Sequence, residues 1–344
     1  MPALTEDYNP PFFLWKHLNK LRWVSLTLVF LILILLPYIA VYQTFLSAHA
    51  YDLLPSSEKV LYDTMEMITD PFVSDPRKDL DAVKGSTWSA TFFSFQISDP
   101  LAVLSHSFSS TSLYWPFILT AFIPVFLTLI FGRFFCGWIC PATFIYELNT
   151  NLGLVLEKLG LKTGRRHLDK RIKYAVLIVG LLMSVVTGSV LMAAIYPPAI
   201  IGRELYYAIA LGGFGSGAVF FLATMMFDLL VARRGFCRYI CPGGALYSLL
   251  GRYRLVRIKR IVSQCNDCAK CNAVCEFDLN PLRDDFGQEC NNCTACIASC
   301  PTDAMTLIVS THDTPPQGPG HLGKSYKSNR RSNSKQATGS ADNE

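Results

Sequence analysis

Four long apolar runs constrain this chain most, because about 20 consecutive mostly apolar residues at helical rise are what a bilayer crossing needs. They are Trp23 to Leu46, Leu113 to Gly132, Tyr174 to Tyr196 and Leu205 to Val231. Each contains proline, glycine, serine or threonine, which neighbouring helices tolerate in a membrane. Pro37 and Pro124 are placed to kink the first two. Charged side chains make up only 17% of the 344 residues, against about 25% in an ordinary soluble domain, which argues against a wholly soluble protein. The net charge of +5 is too mild for a nucleic-acid reader.

The positions of the charges set an expected topology. Lys16, Lys20 and Arg22 precede the first run, eight basic residues face Glu147, Glu157 and Asp169 between 133 and 173, and Arg233, Arg234 and Arg238 follow the fourth run. The other two connections hold Lys59, Arg77, Lys78, Lys84 and Arg203 against ten acids. Basic residues concentrate on the cytoplasmic side, so both termini are expected there. The resulting layout is an N-terminal segment 1–22, spans at 23–46, 113–132, 174–196 and 205–231, outer segments 47–112 and 197–204, and inner segments 133–173 and 232–262. A metal-bearing domain at 263–309 and a tail at 310–344 complete it. Ala48-His49-Ala50 fits a small-residue cleavage pattern, but the run before it exceeds the ~7–15 residues of a signal peptide, so an uncleaved helix is expected.

All 12 cysteines fall on the inner side, where thiols stay reduced. Eight of them read Cys265-x2-Cys268-x2-Cys271-x3-Cys275 and Cys290-x2-Cys293-x2-Cys296-x3-Cys300-Pro301, the bacterial ferredoxin run written twice. In two-cluster ferredoxins the fourth cysteine of each run serves the other cluster, which predicts one [4Fe-4S] site from Cys265, Cys268, Cys271 and Cys300 and another from Cys290, Cys293, Cys296 and Cys275. Zinc sites pair C-x2-C units without the third and fourth cysteines at these offsets. The first run has Glu276 where proline is usual.

The remaining cysteines lie in an internal repeat. Arg133-Phe-Phe-Cys136-Gly-Trp-Ile-Cys140-Pro141 is echoed by Arg234-Gly-Phe-Cys237-Arg-Tyr-Ile-Cys241-Pro242, with Tyr146 and Leu148 recurring as Tyr247 and Leu249. On a helix, positions four apart share a face, so each motif is expected to present two thiols together, with the proline ending the ladder. Two parallel hairpins packed about an axis normal to the membrane bring the four thiols together. Cys136, Cys140, Cys237 and Cys241 are therefore a candidate third metal or redox site; the alternative is two packed helix ends, since cysteine is often a small buried hydrophobe.

No histidine lies inside a run and there is no C-x-x-C-H, so neither a helix-held haem nor a covalently attached one is encoded. Asp228 is the one acid inside a run and a candidate proton relay, or an interfacial ion pair with Arg233 and Arg234. His49 and His106 flank the outer segment as candidates for deprotonating a quinol headgroup. The basic stretch from Arg252 to Arg260 suits anionic lipid headgroups rather than nucleic acid. The tail from Thr311 has too few apolar residues to fold and is expected to be disordered. The fold class expected is an all-α membrane protein of four transmembrane helices in two parallel-repeat hairpins, with a small α+β two-cluster ferredoxin domain in the cytoplasm.

The two C-x3-C-P motifs, Phe227-Asp228-Leu229, the Arg-Arg-Gly-Phe-Cys run ending at Cys237, Gly244-Ala-Leu-Tyr247 and the two ferredoxin runs together resemble the NapH-type membrane subunit, a ferredoxin-type quinol dehydrogenase. The Phe-Cys-Arg-Tyr-Ile-Cys-Pro stretch is also similar to the membrane and iron-sulfur half of NosR-type proteins. The resemblance implies a multi-pass protein of the bacterial inner membrane, with quinol as substrate. It further implies electrons passed toward a periplasmic nitrate or nitrous oxide type reductase through a ferredoxin-type or cytochrome partner. A second reading is a metal-handling assembly factor, since similar motifs occur in proteins thought to reduce copper, and soft thiolates bind Cu(I) well. A third is a membrane anchor whose clusters only fold its domain.

Overall fold

The computed structural model describes residues 12–48, 51, 56–69, 83–85, 89–92, 95–110, 114–161, 164 and 166–312. His49, the Ala48-His49-Ala50 site beyond its first residue, and the tail from 313 onward lie outside the described residues.

Leucine, valine, isoleucine and phenylalanine dominate the first run, and it forms one helix, α1 (Phe12–Ala48), with Pro37 inside it. Its 37 residues span about 55 Å at 1.5 Å per residue, more than the ~30 Å of a hydrocarbon core. Within it His17–Leu46 is long and apolar enough to cross a membrane. A short helix, α2 (Ser56–Thr69), follows and covers Tyr42 with Met65. An antiparallel meander comes next: β1 (Val83–Gly85), β2 (Ser89–Phe92) and β3 (Phe95–Ser98), with Val83 opposite Phe92 and Ser89 opposite Ser98. The helical half is thus not purely α.

The expected outer segment 47–112 is more than a loop. Asp99 starts a helix, α3 (Pro100–Ser110), whose Leu101, Ala102 and Val103 are buried against the bundle. The second run forms α4 (Trp115–Thr120) and α5 (Phe122–Phe131). After the first C-x3-C motif comes α6 (Pro141–Lys158).

The third run, Tyr174 to Tyr196, is not one helix, which corrects the sequence reading. Its helix, α7 (Ile172–Thr187), ends at Gly188 in a left-handed conformation with φ +62°. A continuous helix would separate Gly180 from Met192 by about 18 Å. Instead the Met192 side chain lies where a Cβ on Gly180 would be, so the chain has doubled back. One turn, α8 (Met192–Ile195), leads to Tyr196, and α9 (Pro197–Ala210) departs from there. The fourth run follows as α10 (Ser216–Leu230), then the second motif and α11 (Pro242–Leu250). Among the described residues the apolar helices 115–131, 172–187 and 216–230 are each shorter than the first.

The bundle core joins Leu101, Tyr146, Leu177, Met192, Tyr196, Phe236 and Ala245 around Cys140 and Cys241. The last domain is a two-stranded antiparallel sheet, β4 (Val256–Arg260) and β5 (Met305–Val309), with Arg260 opposite Met305. Between the strands lie two single turns, α12 (Lys270–Ala273) and α13 (Ala295–Ala298). Its core joins Ile258, Phe286, Ile297 and Met305 with Cys271, Cys290 and Cys296, and Leu279, Leu282, Cys300 and Leu307 pack against it partly buried. So small a core in a loop-rich segment is the setting in which bound metal contributes most to folding.

Candidate metal centre

Four helices of the bundle begin in the same way: Asp99-Pro100, Cys140-Pro141, Tyr196-Pro197 and Cys241-Pro242. Proline suits the first helical position, where its missing N–H is unneeded and its φ is already helical. The preceding residue is steered to extended backbone, as seen at Cys140 (ψ 118°), Tyr196 (ψ 111°) and Cys241 (ψ 118°). The C-x3-C motifs are therefore not stretches of α-helix, contrary to the sequence expectation. Phe135–Ile139 and Phe236–Ile240 are π-helical turns closed by Cys140 N–H donating to Phe135 O at 2.8 Å and Cys241 N–H to Phe236 O at 2.9 Å. The first thiol of each pair sits inside the wide turn and the second caps the next helix. Such turns are frequent at functional sites.

The four starts converge. Cys136, Cys140, Cys237 and Cys241 line one cavity, with Arg133, Thr143, Tyr196, Pro197, Gly244 and Phe277 on its wall. The cavity they enclose is small, about 20 Å³. Asp99 Oδ2 accepts from Tyr196 OH at 2.8 Å and from Tyr247 OH at 3.1 Å, which ties the fourth helix start to the wall.

The electrostatics suit an anionic metal group. Burial pushes Cys140 and Cys241 each up to about 12, while backbone amides of Ala142 and Thr143, and of Gly243 and Gly244, pull them back. Gly244 N–H donates to Cys241 Sγ at 3.3 Å. Burial likewise raises Cys136, and the Arg133 guanidinium opposes it. Helix N-termini carry partial positive charge and favour anions. Thiols this buried become thiolates where a metal supplies the compensating charge. Soft sulfur donors around a volume, in a positive setting, fit a thiolate-ligated cubane. Among the described residues no three His, Cys, Asp or Glu side chains converge tightly enough for a lone ion.

In the ferredoxin domain Cys271 lies within electrostatic reach of Cys300, Cys265 and Cys268, and Cys296 within reach of Cys293, Cys290, Cys275 and also Cys271. Burial pushes Cys271 up to about 11 and Cys293 up to about 12. Among the described residues no disulfide joins the cysteines.

The proton-handling candidates are dispersed. Asp228 is buried and its Oδ1 accepts from Phe236 N–H at 2.8 Å, fixing the start of the second π turn; it lies within electrostatic reach of Cys237. His106 is exposed on α3 beside Phe117, and is not on the cavity wall. Sequence reading missed Asp99, Tyr196 and Tyr247. The available signal was helix-start chemistry, an aspartate cap followed by proline.

Comparison with known proteins falls on these elements. A family model described as a 4Fe-4S binding domain matches residues 113–160 and 214–262, the two halves of the C-x3-C-P repeat. The chain is 36% identical over 208 residues to the ferredoxin-type protein NapH of Escherichia coli, covering 59% of this chain and 69% of that protein. It is 33% identical over 181 residues to the methylamine utilization ferredoxin-type protein MauN of Methylobacillus flagellatus, covering 52% and 61%. With MauN of Methylorubrum extorquens the identity is 31%, over 62% of this chain and 72% of that one. No solved structure matches.

Proposed function

This chain belongs to the family of the NapH and MauN ferredoxin-type proteins, and on that premise we propose that it is a membrane-bound iron-sulfur electron-transfer protein that oxidises quinol. The observation that carries the reading is the shared cavity: four thiols from two repeats, at the starts of proline-headed helices, beside a domain with eight more cysteines in two groups. Bound at these thiols, cubanes would take up and give back single electrons.

The chain's own residues do the rest. Two hairpins seat the bundle in the membrane as four crossings, with both termini cytoplasmic. Exposed Leu28, Leu31, Phe122, Phe126, Val179, Val186, Val219 and Leu222, each more than half exposed, cover the helices that lipid would face. A soluble monomer does not leave so much apolar surface bare. Oxidation of one quinol to quinone releases two electrons and two protons. Clusters held by the thiols would carry the electrons singly, and the buried carboxyls Asp99 and Asp228, with His106 and His49 as further acceptors, take the protons. Partners of the kind the family resemblance implies, a ferredoxin-type protein or cytochrome and a periplasmic reductase, lie beyond.

The test is anaerobic purification, iron and sulfide determination, and electron paramagnetic resonance on adding a reduced quinol analogue. Rapid reduction with iron near twelve per chain, about four per cubane, is the expected result. Iron near eight removes the third cluster from the reading. Clusters that respond to dithionite but ignore quinol, together with stoichiometric copper at Cys136, Cys140, Cys237 and Cys241, establish the metal-handling alternative instead.

A further inference from the structure

Each arginine that opens a repeated motif reaches out of the bundle to a carboxylate beside a ferredoxin cysteine. Arg133 Nη1 meets Glu289 Oε2 at 2.6 Å and the Glu289 carbonyl at 3.1 Å; Glu289 immediately precedes Cys290. Arg234 Nε meets Glu276 Oε2 at 2.5 Å, and Glu276 immediately follows Cys275. Both arginines are 1% exposed. The two carboxylates flank different ferredoxin runs, yet Cys290 and Cys275 both lie within electrostatic reach of Cys293.

Further contacts bring the same group to the four-thiol cavity. Trp138, between Cys136 and Cys140, donates from Nε1 to the Asn292 carbonyl at 3.1 Å. Gly137 lies so close that a Cβ there would stand 2.7 Å from the Asn291 carbonyl oxygen. Asn291 and Asn292 sit between Cys290 and Cys293. Phe277, two residues after Cys275, forms part of the cavity wall under the Arg133 guanidinium, 5.0 Å from its ring. The other group shows different surroundings: Arg260 lies 3.6 Å from Cys265 Sγ, Thr302 is 3.8 Å from Cys300, and Cys268 is exposed.

We propose that Arg133–Glu289 and Arg234–Glu276 are matched clamps that hold the Cys275, Cys290, Cys293 and Cys296 centre as the proximal relay to the four-thiol centre. The Cys265, Cys268, Cys271 and Cys300 centre is then distal. Glu276 stands in place of the usual proline because the second arginine needs a carboxylate there. This inference rests on the four thiols being a redox centre. Clusters held there would exchange one electron at a time between the four-thiol and proximal centres and between the proximal and distal centres.

The clamps are positioning residues, so the test reads potentials rather than turnover. The full chain in detergent is titrated with mediators and dithionite, and each ferredoxin signal is followed by electron paramagnetic resonance. Signals are assigned by the one that Cys268→Ser perturbs. Reduction adds negative charge, so removing a neighbouring negative charge favours it. Glu276→Gln is expected to raise the reduction constant of the proximal centre about tenfold, 59 mV for one electron, with the distal centre unmoved. Arg234→Gln is expected to shift the same signal downward, and Glu276→Asp to restore it. If Glu276→Gln fails to assemble, Glu289→Gln carries the same expectation. A shift on the signal that Cys268→Ser perturbs, equal shifts on both, or no shift with iron intact overturns the proposal. None of these readouts uses quinol, so failure of quinol oxidation is separable from failure of the clamps.

Discussion

Replacing Asp99 tests whether its carboxylate holds the helix starts together. Oδ2 accepts from Tyr196 at 2.8 Å and Tyr247 at 3.1 Å, and Oδ1 accepts from the Leu101 amide at 2.7 Å. Asp99→Ala removes all three. The fully buried Tyr247 hydroxyl then lacks this acceptor, at about 1–3 kcal/mol. Losing the Tyr196 bond to a charged group costs about 1.5–3 kcal/mol. Loss of the cap on α3 adds about 1 kcal/mol. The total is about 3–7 kcal/mol, or a midpoint lowered by roughly 6–14 °C at about 2 °C per kcal/mol for a chain of this size. The assay is thermal unfolding in detergent at one fixed scan rate, because such unfolding is irreversible and its midpoint depends on rate. Adding Tyr247→Phe to Asp99→Ala should recover about 1–3 kcal/mol, since deleting both partners is cheaper than stranding one. Equal midpoints for Asp99→Ala and the unaltered protein would refute the reasoning, as would a double variant less stable than the single one.

Three more outcomes are expected. Gly137→Ala should cost about 1–3 kcal/mol in thermal stability by forcing the first π turn off the Asn291 backbone, whereas Gly213→Ala, where an added Cβ meets nothing within 4 Å, should cost less than about 0.5 kcal/mol. Glu147 bridges buried Arg22 and Arg234, at 2.8 Å from Nη1 of Arg22 and Nη2 of Arg234, so Glu147→Leu should lower stability by about 3–5 kcal/mol in the same assay. Stripping iron with an oxidant and chelator should open residues 263–309 to protease while α6 and α7 stay protected, as mass spectrometry of the fragments will show; protection of both would mean that the small core suffices.

Legibility in the sequence varied with the kind of signal. Cysteine spacing is local and chemical, so the two ferredoxin runs could be read before any fold was known. The Arg133 to Pro141 and Arg234 to Pro242 echo likewise pointed at one shared cavity. Hydropathy reads composition along a window and is blind to direction. Tyr174 to Tyr196 therefore passed as one span although Thr187, Gly188 and Ser189 carry a reversal. The π turns were hidden because a four-residue cysteine spacing reads as an α-helical face, and only the i to i+5 bonds at Cys140 and Cys241 distinguish them. Asp99 escaped because it lay in a segment taken for loop, where an acidic side chain attracts no notice. The clamps on Glu276 and Glu289 depend on two surfaces more than 40 residues apart in sequence, and no local pattern encodes that meeting.

Phe277 on the wall of the four-thiol cavity sets an order on biogenesis. The vessel is built from residues that the ribosome delivers at widely separated times, Arg133 first and Phe277 last. Until the chain has grown past Phe277, all four thiols exist but one side stands open. Once the ferredoxin domain docks, the side closes. A cluster held there, as proposed, would take its iron and sulfide in that interval, or the domain would undock to admit them. Loading the proposed inner centre is in this sense an event of the nascent or newly inserted chain, whereas the group that includes Cys268 keeps one thiol at the surface.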